Sequence, residues 1–124
     1  MSGRVVHFEI PFDDGDRARS FYRDAFGWEI PGAAEGSYLV ANTGPTGDAG
    51  PSEPGFVNGG LLRRESPGDG PIVVIEVDDI DGSLARVEEL GGTTILGRRA
   101  VGEIGFAAYF KDVEGNLMGL FQSS

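Results

Sequence analysis

The chain contains no cysteine and only one histidine, His7, among its 124 residues. The lack of cysteine excludes disulfide bonds, thiolate metal sites and a cysteine nucleophile. No apolar run approaches the roughly 20 residues that a membrane-spanning helix needs, and residues 1–4 lead into a strand pattern instead of a signal peptide. The sequence therefore predicts one globular domain over residues 1–124, located in the cytoplasm and without a membrane partner.

Basic residues are also scarce. The chain has 10 Lys and Arg against 20 Asp and Glu, which gives a formal net charge of −10. An acidic surface repels phosphate backbones, so we expect no nucleic-acid partner. Phosphate-binding loops, dinucleotide-binding fingerprints, zinc-protease motifs and nucleophile elbows are absent. The abundant residue is glycine, with 21 copies, and this abundance favours a β-rich fold with many short connections.

The stretch HFEIPFDDGDRARSFYRDAFGW, residues 7–28, predicts a strand followed by a helix. Residues 4–10 are rich in β-branched and aromatic side chains, as strands are. The acidic residues at 13–16 supply capping groups for a helix that runs from about Asp16 to Phe26 and ends at Gly27. One face of this helix carries an apolar stripe of Ala18, Phe21, Tyr22, Ala25 and Phe26.

The second half repeats the first after 65 residues. HFEIPFDD aligns with IVVIEVDD, so that His7 aligns with Ile72 and Gly27 with Gly92. A strand at 72–77 and a helix near 80–90 are predicted. Further strands are expected at about 28–31, 37–43 and 58–62, and in the second half at about 93–99, 105–111 and 116–120, aligned in that order. The sequence predicts an α+β fold of two tandem βαβββ modules, about 1–65 and about 71–124.

The loop at residues 44–55, GPTGDAGPSEPG, has seven Gly or Pro in twelve positions. It predicts a mobile surface loop, and a lid over a cavity is the alternative. The corresponding segment of the second half, residues 112–116, predicts a tight turn with Gly115 at the position that tolerates positive φ.

The paired modules, the phrases FYRDAFGW and EVDDID, the helix end ELGG and the closing DVEGNLMGLFQ resemble the vicinal oxygen chelate superfamily. This group includes glyoxalase I, extradiol dioxygenases and the fosfomycin- and bleomycin-resistance proteins. The closing motif usually has proline where this chain has Val113. The resemblance covers nearly the whole chain, and it implies an incomplete barrel around a cavity and a homodimer.

In metal-dependent members, four side chains from the first and last strands of each module can hold a divalent ion. The resemblance places these positions on His7, Gly60, Ile72 and Gly119. Only His7 has a donor atom, and catalytic metal sites usually need about three protein ligands. We therefore expect no cofactor. The alternative is a divalent metal bound by His7 together with Glu9 or Glu76.

Side chains alternate along a strand, so His7 and Glu9 should face the cavity while Phe8 and Ile10 face the helix. The candidate ligand-binding residues are His7, Glu9, Tyr38, Asn58, Glu76, Tyr109 and Phe121. His7 and Glu9 are also candidate catalytic residues, because an ordinary imidazole titrates near neutral pH and can transfer protons. A metal ligand and a structural, hydrogen-bonded histidine are the other interpretations of His7.

Three functions are compatible with these patterns. The preferred one is binding of a small molecule in the cavity between the two sheets, without a tightly held metal. The second is a divalent-metal-dependent lyase, isomerase or dioxygenase of the glyoxalase I type. The third is a structural or regulatory partner that dimerises through exposed sheet edges. The sequence names neither the ligand nor a reaction.

Overall fold

The structure is a computed structural model that describes residues 3–31, 38–66 and 68–124. The chain forms two compact units: His7–Pro71, called the His7 unit below, and Ile72–Ser124 together with the chain up to Val6. The elements, in chain order, are β1 Val5–Phe12, α1 Gly15–Phe26, β2 Tyr38–Ala41, β3 Thr46–Gly47, β4 Gly50–Pro51, β5 Gly59–Arg63, β6 Ile72–Glu76, α2 Ile80–Glu89, β7 Thr93–Val101, β8 Gly105–Lys111 and β9 Leu117–Ser123. The predicted α+β class is confirmed.

The His7 unit is built on three strands in the order β2-β5-β1. β1 runs parallel to β5, and β2 runs antiparallel to it. Helix α1 covers one face of these strands, since its residues Ala18 and Tyr22 pack against the core. The buried core consists of Phe12, Ile30, Leu39, Ala41 and Leu61. The opposite face of the three strands, called the open face below, carries the candidate residues His7, Glu9 and Tyr38.

Helix α1 begins and ends close to where the sequence predicts. The Asp14 carboxylate accepts a hydrogen bond from the Arg17 amide at 3.1 Å, which satisfies a free donor of the first turn. Gly27 ends the helix in the left-handed region, with φ of 76°. The predicted apolar stripe is only partly covered, because Phe21 and Phe26 are 58% and 66% exposed.

The second unit has four strands in the order β6-β9-β8-β7. β6 runs parallel to β9, and β8 pairs antiparallel with both β9 and β7. The start of the chain joins this unit, since the Gly3 amide donates to the Glu76 carbonyl and the Glu76 amide donates to the Arg4 carbonyl. The buried core consists of Ile80, Leu84, Ala108, Phe110 and Leu120. This half has the predicted βαβββ order.

Strand register supports the predicted duplication. Glu9 lies opposite Gly60 in the first unit, and Val74, 65 positions after Glu9 (74 − 9), lies opposite Gly119 in the second. Gly60 and Gly119 therefore hold equivalent positions, as the alignment of the two halves predicts.

The alignment of the middle strands is wrong by one residue. Val40 pairs with Gly60 and Tyr109 pairs with Gly119, so the true offset is 69 (109 − 40), whereas the alignment of residues 37–43 with 105–111 has an offset of 68 (105 − 37). A shift of one residue moves every side chain to the other face of a strand. The structural counterpart of Tyr38 is consequently Ala107.

Two other expectations differ from the structure. The strand expected at 28–31 is reduced to a single bridge between Glu29 and Asn42, while residues 32–37 lie outside the described part of the chain. The loop at 44–55 contains a short hairpin, β3 paired with β4.

The turn at 112–116 is confirmed, since Gly115 has φ of 83° and the Asp112 carboxylate accepts from the Asn116 amide at 2.9 Å.

Candidate functional site

Strand β1 separates its side chains between two environments. Phe8 lies 5.6 Å from the ring of Trp28, and Ile10 packs against the core under α1. His7 and Glu9 therefore point to the open face, as alternation along the strand predicts. The prediction that Phe8 and Ile10 face the helix side is confirmed.

The imidazole of His7 is hydrogen-bonded to the phenol of Tyr38. The distance from His7 Nε2 to Tyr38 Oη is 2.6 Å, and the planes of the two rings differ by only 9°. Tyr38 comes from β2 and His7 from β1, so this contact joins the two outer strands of the unit across β5. The sequence places both residues among the ligand-binding candidates, and the structure brings them together.

Gly60 provides the space for this contact. It lies on β5 between the two strands, and a Cβ atom added to it would overlap Oη, Cζ and Cε1 of Tyr38. The phenol therefore lies directly above a backbone without a side chain. Any larger residue at position 60 would have to push the ring aside, which makes this glycine a condition for the contact between Tyr38 and His7.

Burial and a neighbouring charge shift the pKa of His7 in opposite directions. Desolvation lowers the pKa of His7 from its ordinary value of 6.5, and the neighbouring charge of Glu9 partly opposes this shift by raising it. Glu9 is itself buried, with 6% of its surface exposed. The net lowering favours a neutral imidazole at neutral pH, which is the form that can accept a proton or a hydrogen bond.

Replacing His7 with glutamine should flatten the pH dependence of stability below about pH 6.5. Because folding lowers the pKa of His7 below 6.5, the unfolded chain binds more protons in this range. The stability associated with neutral His7 is therefore present above that pH and is lost as the pH falls through the lowered pKa. Urea denaturation of both proteins between about pH 5 and about pH 8 measures the difference. Parallel curves would contradict the lowered pKa.

Asn58 has a structural role in addition to its predicted place among the ligand-binding candidates. Its side-chain oxygen accepts from the Thr43 amide at 2.9 Å, and its Nδ2 donates to Thr46 Oγ1 at 2.8 Å. Thr43 Oγ1 in turn donates to the Val57 carbonyl. These bonds hold the beginning of the 44–55 loop to the two residues that precede β5.

The remaining candidates belong to the second unit. Glu76 lies opposite Phe121 in the pairing of β6 with β9, and Tyr109 lies opposite Gly119 in the pairing of β8 with β9. These three side chains therefore share one face of the strands of the second unit, the face away from the core under α2.

The metal that the resemblance implies does not fit the residues present. Across residues 3–31, 38–66 and 68–124, no group of three or more His, Cys, Asp or Glu could hold an ion. At position 60 the space for a ligand side chain is filled by the Tyr38 phenol. At position 119 an added Cβ would lie 3.1 Å from Val74 Cγ2 and 3.5 Å from Tyr109 Cε1. Of the four positions at which the resemblance places metal ligands, only His7 offers a donor atom.

Within the described residues, neither helix has the length and apolar character that crossing a bilayer requires.

Comparison with known proteins identifies the family. A model of the N-terminal region of bleomycin resistance protein-like proteins matches residues 4–44. A glyoxylase-like domain-containing protein of Didymella fabae is 32% identical over 123 residues, which cover 94% of this chain and 91% of the relative.

Solved structures agree on the fold. A methylmalonyl-CoA epimerase of Streptomyces coelicolor has a TM-score of 0.69 at 22% identity and covers all of this chain and 96% of its own. A hypothetical protein of Bacillus halodurans has a TM-score of 0.70 at 18% identity, with the same coverage. At this level of identity the likeness concerns the fold alone. The chain belongs to the glyoxalase-like and bleomycin-resistance-like proteins of the vicinal oxygen chelate superfamily.

Proposed function

We propose that this protein binds a small molecule on the open face of the His7 unit, through His7 and Tyr38 and without a tightly held metal. The observation that carries the proposal is the 2.6 Å contact between His7 Nε2 and Tyr38 Oη above Gly60. It places two polar groups on a face that also exposes apolar side chains, the usual composition of a ligand site.

The apolar part of this face comes from β2 and β5. Val40, which pairs with Gly60, is 51% exposed, and Tyr38 is 41% exposed. Leu62 lies opposite Tyr38 and is half-buried. A ligand that covers this apolar surface removes it from water, and this burial contributes favourably to the free energy of binding. The Streptomyces epimerase was solved with a coenzyme A ester bound, so the fold can accommodate an organic ligand.

A metal-dependent lyase, isomerase or dioxygenase is the competing proposal. One observation favours it: His7 and Glu9 share the open face, and the charge of Glu9 acts on His7. The missing donors at positions 60 and 119 argue against it, since two ligands hold a divalent ion weakly.

A ligand screen with two arms separates the proposals. Thermal unfolding is followed with a library of small molecules and, separately, with Zn²⁺, Ni²⁺, Mn²⁺ and Fe²⁺. A compound at about 100 times its dissociation constant should stabilise the protein by about 2.7 kcal/mol, and His7→Gln and Tyr38→Phe should weaken this effect.

The metal arm is expected to give no specific stabilisation. Stabilisation by one metal at stoichiometric amounts, lost in His7→Gln, would support the enzyme instead. A library in which no compound stabilises the protein would contradict small-molecule binding.

A further inference from the structure

Helix α1 exposes an aromatic patch to water. Phe21 and Phe26 are 58% and 66% exposed, and their ring centroids lie 6.4 Å apart. Ala25 is exposed as well, and it lies four residues after Phe21 and therefore next to it on the helix surface. Large apolar side chains that adjoin one another on a surface indicate an interface. The patch formed by Phe21, Ala25 and Phe26 is therefore a candidate contact with a partner.

Two opposite charges flank Phe21 on the same face of the helix. Arg17 lies one turn before Phe21 and Asp24 one turn after it, and the spacing i, i+4, i+7 aligns the three side chains. Both charged residues are exposed. Asp24 already forms an ion pair with Arg23 at 3.1 Å, with 72% of its side chain exposed. A carboxylate can accept from a second cation, since it has two oxygens.

The spacing of these charges makes the face complementary to a copy of itself. Arg17 and Asp24 are equally far from the midpoint between Ser20 and Phe21 (20.5 − 17 and 24 − 20.5), which is about 5 Å along the helix axis. If two such helices pack antiparallel around a two-fold axis at that midpoint, each Arg17 meets the partner's Asp24. The two Phe21 rings then meet beside the axis, as an isologous contact requires.

The charge of the chain also favours α1 as the contact between two copies. The net charge of −10 makes two copies repel each other in general. Helix α1 has three arginines against two aspartates, whereas α2 has one arginine against three acidic residues. A contact through α1 therefore uses a helix without an excess of negative charge.

We propose that α1 is a self-association surface through which two copies of this chain form an antiparallel, two-fold pair. Phe21 supplies the apolar centre of the contact, and the Arg17–Asp24 pair, which occurs twice by symmetry, determines its direction. A helix of twelve residues is about 18 Å long, and an interface of this size belongs to the weak, transient class. Because α1 covers the face of the strands opposite to His7, the proposal does not depend on the ligand site.

Sedimentation equilibrium from about 1 μM to about 1 mM, the range of weak association, measures this contact. We expect the average mass to rise with concentration from the monomer towards the dimer. Phe21→Ser should weaken the association by about tenfold or more, because both copies lose a ring from the contact. Leu90→Ser is the matched control, since Leu90 is 61% exposed at the end of α2, and it should leave the association unchanged.

Charge reversal tests the antiparallel arrangement. Arg17→Asp and Asp24→Arg each place like charges opposite each other twice, and each should weaken the association by about tenfold. The double variant restores opposite charges and should recover most of this loss. An acidic residue near the start of a helix and a basic one near its end are favourable, so we expect these variants to fold.

A thiol introduced into this chain reports the two-fold axis, because the natural sequence has no cysteine. Ser20→Cys should form a disulfide between two copies on mild oxidation, since residue 20 of each copy lies beside the axis. Ser83→Cys is the matched control, because Ser83 is a half-buried serine of α2, and it should remain unlinked.

Four results would overturn the proposal. They are a mass that stays monomeric throughout this concentration range, an association that Phe21→Ser leaves unchanged, a charge-reversed double variant that associates no better than the single variants, and a Ser20→Cys protein that cross-links no faster than Ser83→Cys. The second result would place the contact between copies on another surface of the chain.

Discussion

Replacing Leu61 with alanine is expected to lower the free energy of unfolding by about 2–5 kcal/mol. Leu61 has no exposed surface and is among the largest side chains that are fully buried in the described residues. It lies on β5 between Ile10 of β1 and Leu39 of β2. Truncation removes its apolar surface from the core and leaves a cavity that the three paired strands cannot close without losing register.

Urea denaturation at neutral pH measures this loss. Leu90→Ala is the control, because Leu90 is 61% exposed at the end of α2 and should change stability by at most about 0.5 kcal/mol. A loss below about 1 kcal/mol for Leu61→Ala would mean that the site collapses around the smaller side chain, contrary to the packing described.

Gly60→Ala is expected to separate Tyr38 from His7 while leaving the fold intact. The atoms that the new Cβ would meet are Oη, Cζ and Cε1 of Tyr38, the far end of a side chain that can rotate outwards. The loss of one hydrogen bond should cost about 1 kcal/mol of stability. Rehydration of the imidazole should raise the pKa of His7 towards its ordinary value, because desolvation is the largest cause of its lowering.

The NMR signals of the His7 ring report this separation directly. Gly119→Ala is the matched control, since it changes the equivalent residue of the second unit, where the nearest side-chain atom is Val74 Cγ2 at 3.1 Å. It should leave the His7 signals unchanged. If Gly60→Ala also leaves the His7 signals unchanged, the contact between Tyr38 and His7 does not depend on a glycine at position 60.

The duplicated architecture follows from short-range information. Asp14 and Gly27 carry capping chemistry that is local in sequence, and the two predicted helices differ from the structure by one residue at an end. The pairing of Glu9 with Gly60 in β1 and β5 has its equivalent in the pairing of Val74 with Gly119 in β6 and β9. The repeat in the sequence predicts that Gly60 and Gly119 are equivalent. Periodicity also places His7 and Glu9 on the open face.

The His7–Tyr38 contact was not predictable in the same way. The sequence shows that Gly60 lacks a ligand side chain, but it does not show what fills the space. That depends on β2 lying next to β5 in a register that brings Tyr38 over Gly60, and the middle strands carry no signal that distinguishes one register from the next. The exposure of Phe21 and Phe26 was not predictable either. The helical pattern predicts which face of α1 is apolar, but it does not predict how much of that face the strands cover.

Because Tyr38 packs over Gly60, the side chains that are tolerated at position 60 depend on the residue at position 38. A metal-binding side chain introduced at position 60 alone would meet the phenol, and a smaller residue at position 38 alone would supply no donor atom. A metal-binding side chain at position 60 therefore requires the phenol of Tyr38 to rotate outwards or to be replaced. The effect of a substitution at position 60 thus depends on the residue at position 38, and we expect the two positions to vary together among related sequences.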